Sequence, residues 1–349
     1  MNLTRSDIIR EDCQEVTQGS VTLLKPLKEK NILITGGTGF MGTWISEMVA
    51  FMNDNHDFNI KLIILSTRAK DYHLKAPHIA SRDDVTLIEK DIRSLIDIPM
   101  EVNWIIHAAA NPDNRLHASN PLQTIDVIVN GTKTLLEYAA REPELEKILN
   151  ISSGQVYGIQ PWDVDNNPEN YFGSLDPSSL ASTYSEAKRL AETLCTAYRN
   201  QHRLPIVNVR PFAFIGPHQL LDRPWAINNF IRDSLRGGPI KILGDGGTVR
   251  SYMYPSDMAW WILNMLVHGQ VGENYNLGSP YGVTLLQLAD IIANKSAKKP
   301  KIVTNVSSGH FTRTKFVPDI SLAQKKLGLK LKVDLEKAVT RTFIWNQIK

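Results

Sequence analysis

The chain has 349 residues, 42% hydrophobic and 21% charged, and its 39 basic and 36 acidic residues leave a net charge of +3. That balance fits a globular protein with a sizeable core, and because Lys and Arg are scattered among the acids it argues against nucleic acid as the main partner. No apolar run reaches the roughly 18–20 residues of a membrane span, the acid-bearing N-terminus does not read as a secretory signal, and Cys13 and Cys195 show no metal-ligand or CxxC spacing. The expectation is a soluble cytoplasmic protein with reduced thiols, no metal site and no membrane partner.

Residues 1–28 form an N-terminal extension, expected as a helical cap. Asn31-Ile-Leu-Ile-Thr35 then reads as a strand that runs into Gly36, Gly39 and Gly42, followed by a helical segment from Thr43 to Phe51. Further strands are expected at Ile60–Leu65, Val85–Glu89 and Trp104–His107. Asn120-Pro121 opens a helix, with Asn as the cap and Pro at the first helical position, and Leu122, Ile125, Val129 and Leu136 fall on one of its faces. Lys147–Ser152 is a strand, Ser182–Arg199 a helix and Leu204–Arg210 a strand. Such alternation predicts an α/β fold, a doubly wound parallel sheet covered on both faces. After Pro211 the alternation fails, which suggests a smaller substrate-binding lobe over 211–349 beside a dinucleotide-binding domain over 29–210.

The strand, glycine turn and helix in that order are what a dinucleotide pyrophosphate requires. Gly36 permits the tight turn, Gly39 lets the backbone approach the phosphates, and Gly42 lets helix pack on strand. The helix N-terminus offers free N–H groups and partial positive charge. At the end of the second strand stands Leu65-Ser66-Thr67-Arg68, where NAD sites usually carry an acid. Ser66, Thr67 and Arg68 can take a 2′-phosphate, which leans toward NADP, although Arg68 could instead stack on adenine.

Tyr184 and Lys188 lie at i and i+4 on one helix face, and Ser153 sits near the end of a predicted strand. Together they can act as a unit: the ammonium lowers the phenol pKa by proximity, Tyr184 serves as acid or base, and Ser153 hydrogen-bonds the same substrate oxygen.

With these motifs the chain resembles the extended short-chain dehydrogenase/reductases, in particular the nucleotide-sugar epimerase/dehydratase family. The landmarks include Thr35-Gly-Gly-Thr-Gly-Phe-Met-Gly42, Asp91-Ile92, His107-Ala-Ala-Ala110, Gly131-Thr132, Ser153-Gly-Gln-Val-Tyr-Gly158, Arg210-Pro-Phe212 and Arg250-Ser-Tyr-Met-Tyr-Pro-Ser-Asp257, and the likeness spans about residues 30 to 345. It implies a Rossmann-type sheet with NAD(P) bound by Gly36, Gly39, Phe40, Met41 and Gly42, by Asp91 and Ile92 near the adenine, by Ala108, Ala109 and Ala110 along the cofactor, and by Tyr184, Lys188 and Pro211. The family's general habit leans to NAD. It further implies a nucleoside-diphosphate sugar as substrate. Arg250 would grip its diphosphate, Arg313 or Lys315 would supply the second cation, and Gln155 and Ala213 would line the sugar site. It also implies a homodimer through the helices around 121–141 and 183–200.

Several positions depart from the family pattern. Dehydratases usually carry Asp-Glu directly after the serine or threonine, and decarboxylases usually keep the glutamate; here the two positions are Gly154 and Gln155. Ala213 replaces a usual asparagine, and Ile128 replaces another, with Asn130 nearby. Epimerisation at sugar C4 needs no further acid and is therefore the leading expectation. An NADPH-dependent 4-keto-sugar reductase comes second and a dehydratase or decarboxylase third. A non-catalytic dinucleotide sensor would not need an intact Ser153, Tyr184 and Lys188.

Overall fold

Seven parallel strands form the centre of the molecule in a computed structural model that describes residues 3–305 and 313–348. Residues 1, 2, 306–312 and 349, parts of the expected N-terminal extension and C-terminal lobe, lie outside the described residues. The strands are β1 (Asn31–Thr35), β2 (Lys61–Ser66), β3 (Val85–Glu89), β4 (Trp104–His107), β5 (Lys147–Ile151), β6 (Ile206–Pro211) and β7 (Asn274–Leu277). Their order is β7-β6-β5-β4-β1-β2-β3. Ile32 and Ile34 of β1 face one layer, with Trp44 and Met48 of α2 (Phe40–His56), while Leu33 between them faces the other, with Leu135 and Leu136 of α3 (Pro121–Ala139) and Cys195 of α4 (Thr183–His202). Burial on both faces is why β1 reads as an uninterrupted apolar run.

The chain moves outward from β1 to β3 and then returns to lay β4 against the other side of β1. A crevice opens at that switch point, beyond the carboxyl ends of β1 and β4, where open α/β sheets bind their ligands. Helix α2 begins at Phe40, directly after Gly39, three residues earlier than the sequence suggested. Pro121 is the first residue of α3, but the Asn120 side chain makes no capping hydrogen bond to it. On the face carrying Leu122, Ile125, Val129 and Leu136, Leu136 is buried while Leu122 is 80% exposed.

Two segments are placed by tertiary contacts. The N-terminal helix α1 (Arg5–Thr17) opens with a Thr4/Asp7 capping box and buries Ile9, Cys13 and Val16 in the same cluster as α2 and α6 (Pro255–His268). Its Asp12 accepts a 2.6 Å hydrogen bond from the Tyr254 hydroxyl and lies 2.7 Å from the Arg341 guanidinium of α8 (Leu335–Gln347), so the two ends of the chain are packed together. The segment 211–349, expected mainly as a substrate-binding lobe, contributes both to the central sheet and to a separate core. Helix α6 and strand β7 rejoin the central sheet, with Tyr275 opposite Val209. A third hydrophobic cluster is built by α5 (Ala226–Arg236), α7 (Leu285–Lys295), α8 and the parallel pair Ile240–Leu243 and Ile302–Asn305, around Phe230, Ile231, Leu288, Ile292 and Val339.

Candidate active site

At the switch point the glycine loop is shaped by contacts that leave no room for side chains. The Gly36 amide donates to the Leu65 carbonyl at 2.8 Å, and its φ is +67°. A Cβ there would lie 2.6 Å from the Ala108 carbonyl oxygen, and one on Gly42 would lie 2.3 Å from the Gly37 carbonyl oxygen. Gly39 immediately precedes α2. Phe40 packs on Phe214 with centroids 6.0 Å apart, and Met41 packs against the core. Ala108, Ala109 and Ala110 continue from β4 beside this loop. Beneath it, His107 is buried between Thr35 and Thr132, with Nδ1 2.7 Å from Thr35 Oγ1 and Nε2 3.0 Å from Thr132 Oγ1. Desolvation, helped by the Lys188 charge, pulls the imidazole down to about 3, so it stays neutral.

At the neighbouring strand end, Ser66 ends β2 and its Oγ is 2.7 Å from Thr38 Oγ1 of the glycine loop. The amide of Arg68 donates to Ser66 Oγ, and Thr67 lies between them. Asp91 is engaged by Arg93 through both carboxylate oxygens, at 3.0 and 2.6 Å, while Ile92 is buried against Gly131 of α3. Asp91 and Ile92 thus carry local structure, with the Asp91 carboxylate tied to Arg93.

Ser153 follows β5, and its hydroxyl accepts from the Gln155 amide at 3.1 Å. Tyr184 and Lys188 project from the first turns of α4 and are both buried. Burial pushes the Tyr184 phenol up to about 12, against the pull of the Ser153 hydroxyl. Lys188 donates to the Ile151 carbonyl at 2.7 Å, lies 6.0 Å from the Tyr184 ring centroid, and is itself lowered to about 8 by burial. The expectation that Lys188 depresses the phenol is therefore corrected for the free protein. The ammonium is turned to a carbonyl, and loss of solvation outweighs the hydrogen bond from Ser153.

Sequence reasoning missed the other face of Tyr184. His117, from the short helix Asn114–Ser119, lies flat on the phenol, with centroids 4.3 Å apart and planes 8° from parallel. Its Nε2 is 2.6 Å from the Asn111 carbonyl oxygen. No periodic or spacing signal marks this histidine. Behind Ser153, Glu192 accepts from the Ser152 hydroxyl at 2.5 Å and forms a mostly buried pair with Arg210, whose NH1 reaches the Tyr157 hydroxyl at 3.0 Å.

The absent acid has a steric counterpart. A Cβ on Gly154 would lie 2.7 Å from the Phe212 ring, which stacks on Phe316 at 4.3 Å. Gln155 is exposed. Phe316 is paired in register with Arg250, and Lys315 with Val249, so one small sheet carries both cations and reaches Gly154 through the stacked Phe316 and Phe212 rings. Arg250 donates to the carbonyls of Val249 and Thr314 and to Thr314 Oγ1, all neutral. Arg313 is paired with Asp245 at 2.7 Å and Lys315 with Asp165 at 3.4 Å. Pro211 ends β6, and Ala213 is paired with Tyr252.

The family model described as the NAD dependent epimerase/dehydratase family matches residues 32–278. The chain belongs to that family. It is 32% identical over 312 residues to UDP-glucuronic acid decarboxylase 6 of Arabidopsis thaliana, covering 88% of this chain and 86% of that one. Its fold matches an epimerase of Methanothermobacter thermautotrophicus with a TM-score of 0.79 at 23% identity, covering 94% and 95% of the two chains. It also matches a dTDP-glucose 4,6-dehydratase of Streptomyces venezuelae bound to NAD, with a TM-score of 0.75 at 22% identity, covering 91% and 97%. NAD is the family's cofactor, and this chain fits a dinucleotide at the glycine loop, whose close Gly36–Ala108 and Gly37–Gly42 contacts are backbone on backbone. Among the described residues no helix is long and apolar enough to cross a membrane.

Proposed function

We propose that this enzyme catalyses a redox-neutral reaction at C4 of a nucleoside-diphosphate sugar, of the epimerase type. The observation that carries the proposal is Tyr184, buried beside Ser153 and under His117 next to the crevice where the glycine loop and the Ala108–Ala110 segment meet. NAD, when bound, accepts a hydride from sugar C4 and later returns it. Tyr184 takes the C4 hydroxyl proton and gives it back to the ketone oxygen, and Ser153 Oγ hydrogen-bonds that same oxygen. The Ser153 hydroxyl is what the chain sets against the burial that raises the phenol, with the Lys188 ammonium 6.0 Å from the Tyr184 ring centroid. Arg250, whose partners are neutral, holds the diphosphate through its planar donors. Arg313 and Lys315 must leave Asp245 and Asp165 before either assists.

Gly154, filled against Phe212, and the neutral Gln155 support epimerisation over water elimination. The test is a panel of UDP- and dTDP-sugars followed by NMR, with a 4-epimer as the expected product. Tyr184→Phe should lose about 10²–10⁴-fold in turnover and keep dinucleotide binding. A second reading, decarboxylation, is favoured by the likeness to UDP-glucuronic acid decarboxylases. Carbon dioxide released from UDP-glucuronic acid would establish it and displace the first.

The assembly that goes with this reading is a cytoplasmic homodimer. Leu122 and Ile125 of α3, Leu180 just before α4 and Leu190 on α4 are between 40% and 80% exposed, an apolar surface on paired helices that suits a second copy. Sedimentation showing only monomer at micromolar concentration would exclude it.

A further inference from the structure

We propose that a cavity of about 400 Å³ beside the edge strand β7 is a second ligand site and takes a sugar phosphate. None of Ser153, Tyr184 and Lys188 lines it, so its occupancy is independent of the reaction assigned to the crevice.

The sheet prepares this site with a row of amides. In register across β5, β6 and β7 stand Asn150, Asn208 and Asn274. Asn150 Nδ2 donates to Asn208 Oδ1, and Asn208 Nδ2 donates to Asn274 Oδ1, both at 2.9 Å. The faces of a covered parallel sheet are ordinarily apolar, and a buried amide is costly unless it is bonded. Here each amide passes the bond to the next strand. The row ends on the cavity wall at Asn274, whose Nδ2 it does not use.

Around that amide the lining suits a sugar. Thr193 and Thr196 of α4 supply hydroxyls, and Tyr157 and Tyr171, with ring centroids 6.3 Å apart, supply flat aromatic surface. Amides and hydroxyls both donate and accept, as the hydroxyls of a sugar do. The rings cover its C–H faces, in the usual division of a small-molecule site between aromatic walls and a few polar groups.

The charge left over is positive. Glu192 brings a carboxylate to the wall, and Arg210 engages it at 2.7 Å, so that pair cancels. Arg189 also lines the cavity. Its Nε donates to the Val156 carbonyl at 2.8 Å and its Nη2 to the Phe172 carbonyl, while a guanidinium has five donors. Arg199 stands at the rim, where a Cβ on Gly272 would lie 3.0 Å from its Nη1. Among the described residues neither Arg189 nor Arg199 is paired with a carboxylate, since Glu192 is taken by Arg210. Two guanidinium groups without a counter-ion fit the oxygens of a phosphate.

The experiment is isothermal titration calorimetry of the full chain with glucose 6-phosphate, glucose and inorganic phosphate, each with and without saturating UDP. Glucose 6-phosphate should bind at one site with a Kd of about 1 mM or tighter. It should bind at least tenfold more tightly than glucose or phosphate, and UDP should not displace it. Arg199→Gln, and Thr193→Glu on an exposed turn of α4, should each weaken it at least tenfold. No binding of glucose 6-phosphate overturns the proposal. Phosphate binding as tightly does the same, by leaving the sugar unread, and displacement by UDP does so by placing the ligand in the crevice. Unchanged affinity in both variants puts the ligand elsewhere on the surface and removes the site.

Discussion

His117 lies flat against Tyr184, with ring centroids 4.3 Å apart and planes 8° from parallel, and its Nε2 is tied to the Asn111 carbonyl. A carbonyl oxygen only accepts, so that bond makes Nε2 the donor. The imidazole is anchored at one edge and stacks on the face of the phenol ring.

Removing that support should loosen the phenol without touching the diphosphate grip. His117→Ala is expected to lower kcat about tenfold with KM nearly unchanged, the size of a lost aromatic stacking interaction of about 0.5–1.5 kcal/mol. His117→Phe, which keeps a ring, should recover most of it. Steady-state kinetics on the three proteins decides the matter, and an unchanged kcat in His117→Ala would remove the stacking from the mechanism.

Acid should destabilise the fold through His107. The folded ring, buried between Thr35 and Thr132, is held neutral with its pKa down near 3, against an ordinary value of 6.5. Between those values the unfolded chain binds the extra proton, so this contribution is complete above about pH 6.5 and is lost as pH falls toward 3. The slope from this one group approaches about 1.4 kcal/mol per pH unit. Urea denaturation at pH 7, 6 and 5 should show it, and His107→Gln should flatten the profile.

Gly154→Ala should destabilise by about 1–3 kcal/mol, because the new methyl meets the Phe212 ring and that ring is held by Phe316. In a Phe212→Ala background the same change should cost much less, a coupling read from a double-mutant cycle of denaturation midpoints. Gln155→Glu, at an exposed position, should leave stability unaltered.

Glu192→Ala should cost about 3–5 kcal/mol, since it strands the largely buried Arg210 guanidinium. It also frees the Ser152 hydroxyl beside Ser153, so activity should fall even in the folded fraction. Calorimetry and kcat on the same preparation separate the two effects.

The crevice and much of the catalytic group are legible in sequence because they rest on local rules. A glycine triplet at spacing three can be read directly, since backbone conformation and close approach depend on the missing Cβ. The β3 and β4 boundaries follow from short apolar runs, and Tyr184 and Lys188 share a face because a helix repeats every 3.6 residues. The N-terminal segment reads as helical and is helical, but its docking and the strand β7 are not legible in the same way. Asn274-Tyr-Asn-Leu277 carries no continuous apolar run and becomes a sheet strand only by pairing with β6, while α1 is fixed by Asp12 meeting Tyr254 and Arg341, more than 200 residues away in sequence.

The environment of each group is set by tertiary packing. Motif spacing put Lys188 near Tyr184, but the direction of the phenol's shift came from burial, which depends on everything packed around it. His117 over the phenol, Lys75 over the glycine loop and Phe212 against Gly154 are contacts between segments 37 to 67 residues apart in sequence, the separations read from the residue numbers. Local periodicity acts over a few residues and is blind to such pairs, because they exist only after the sheet has closed the distance.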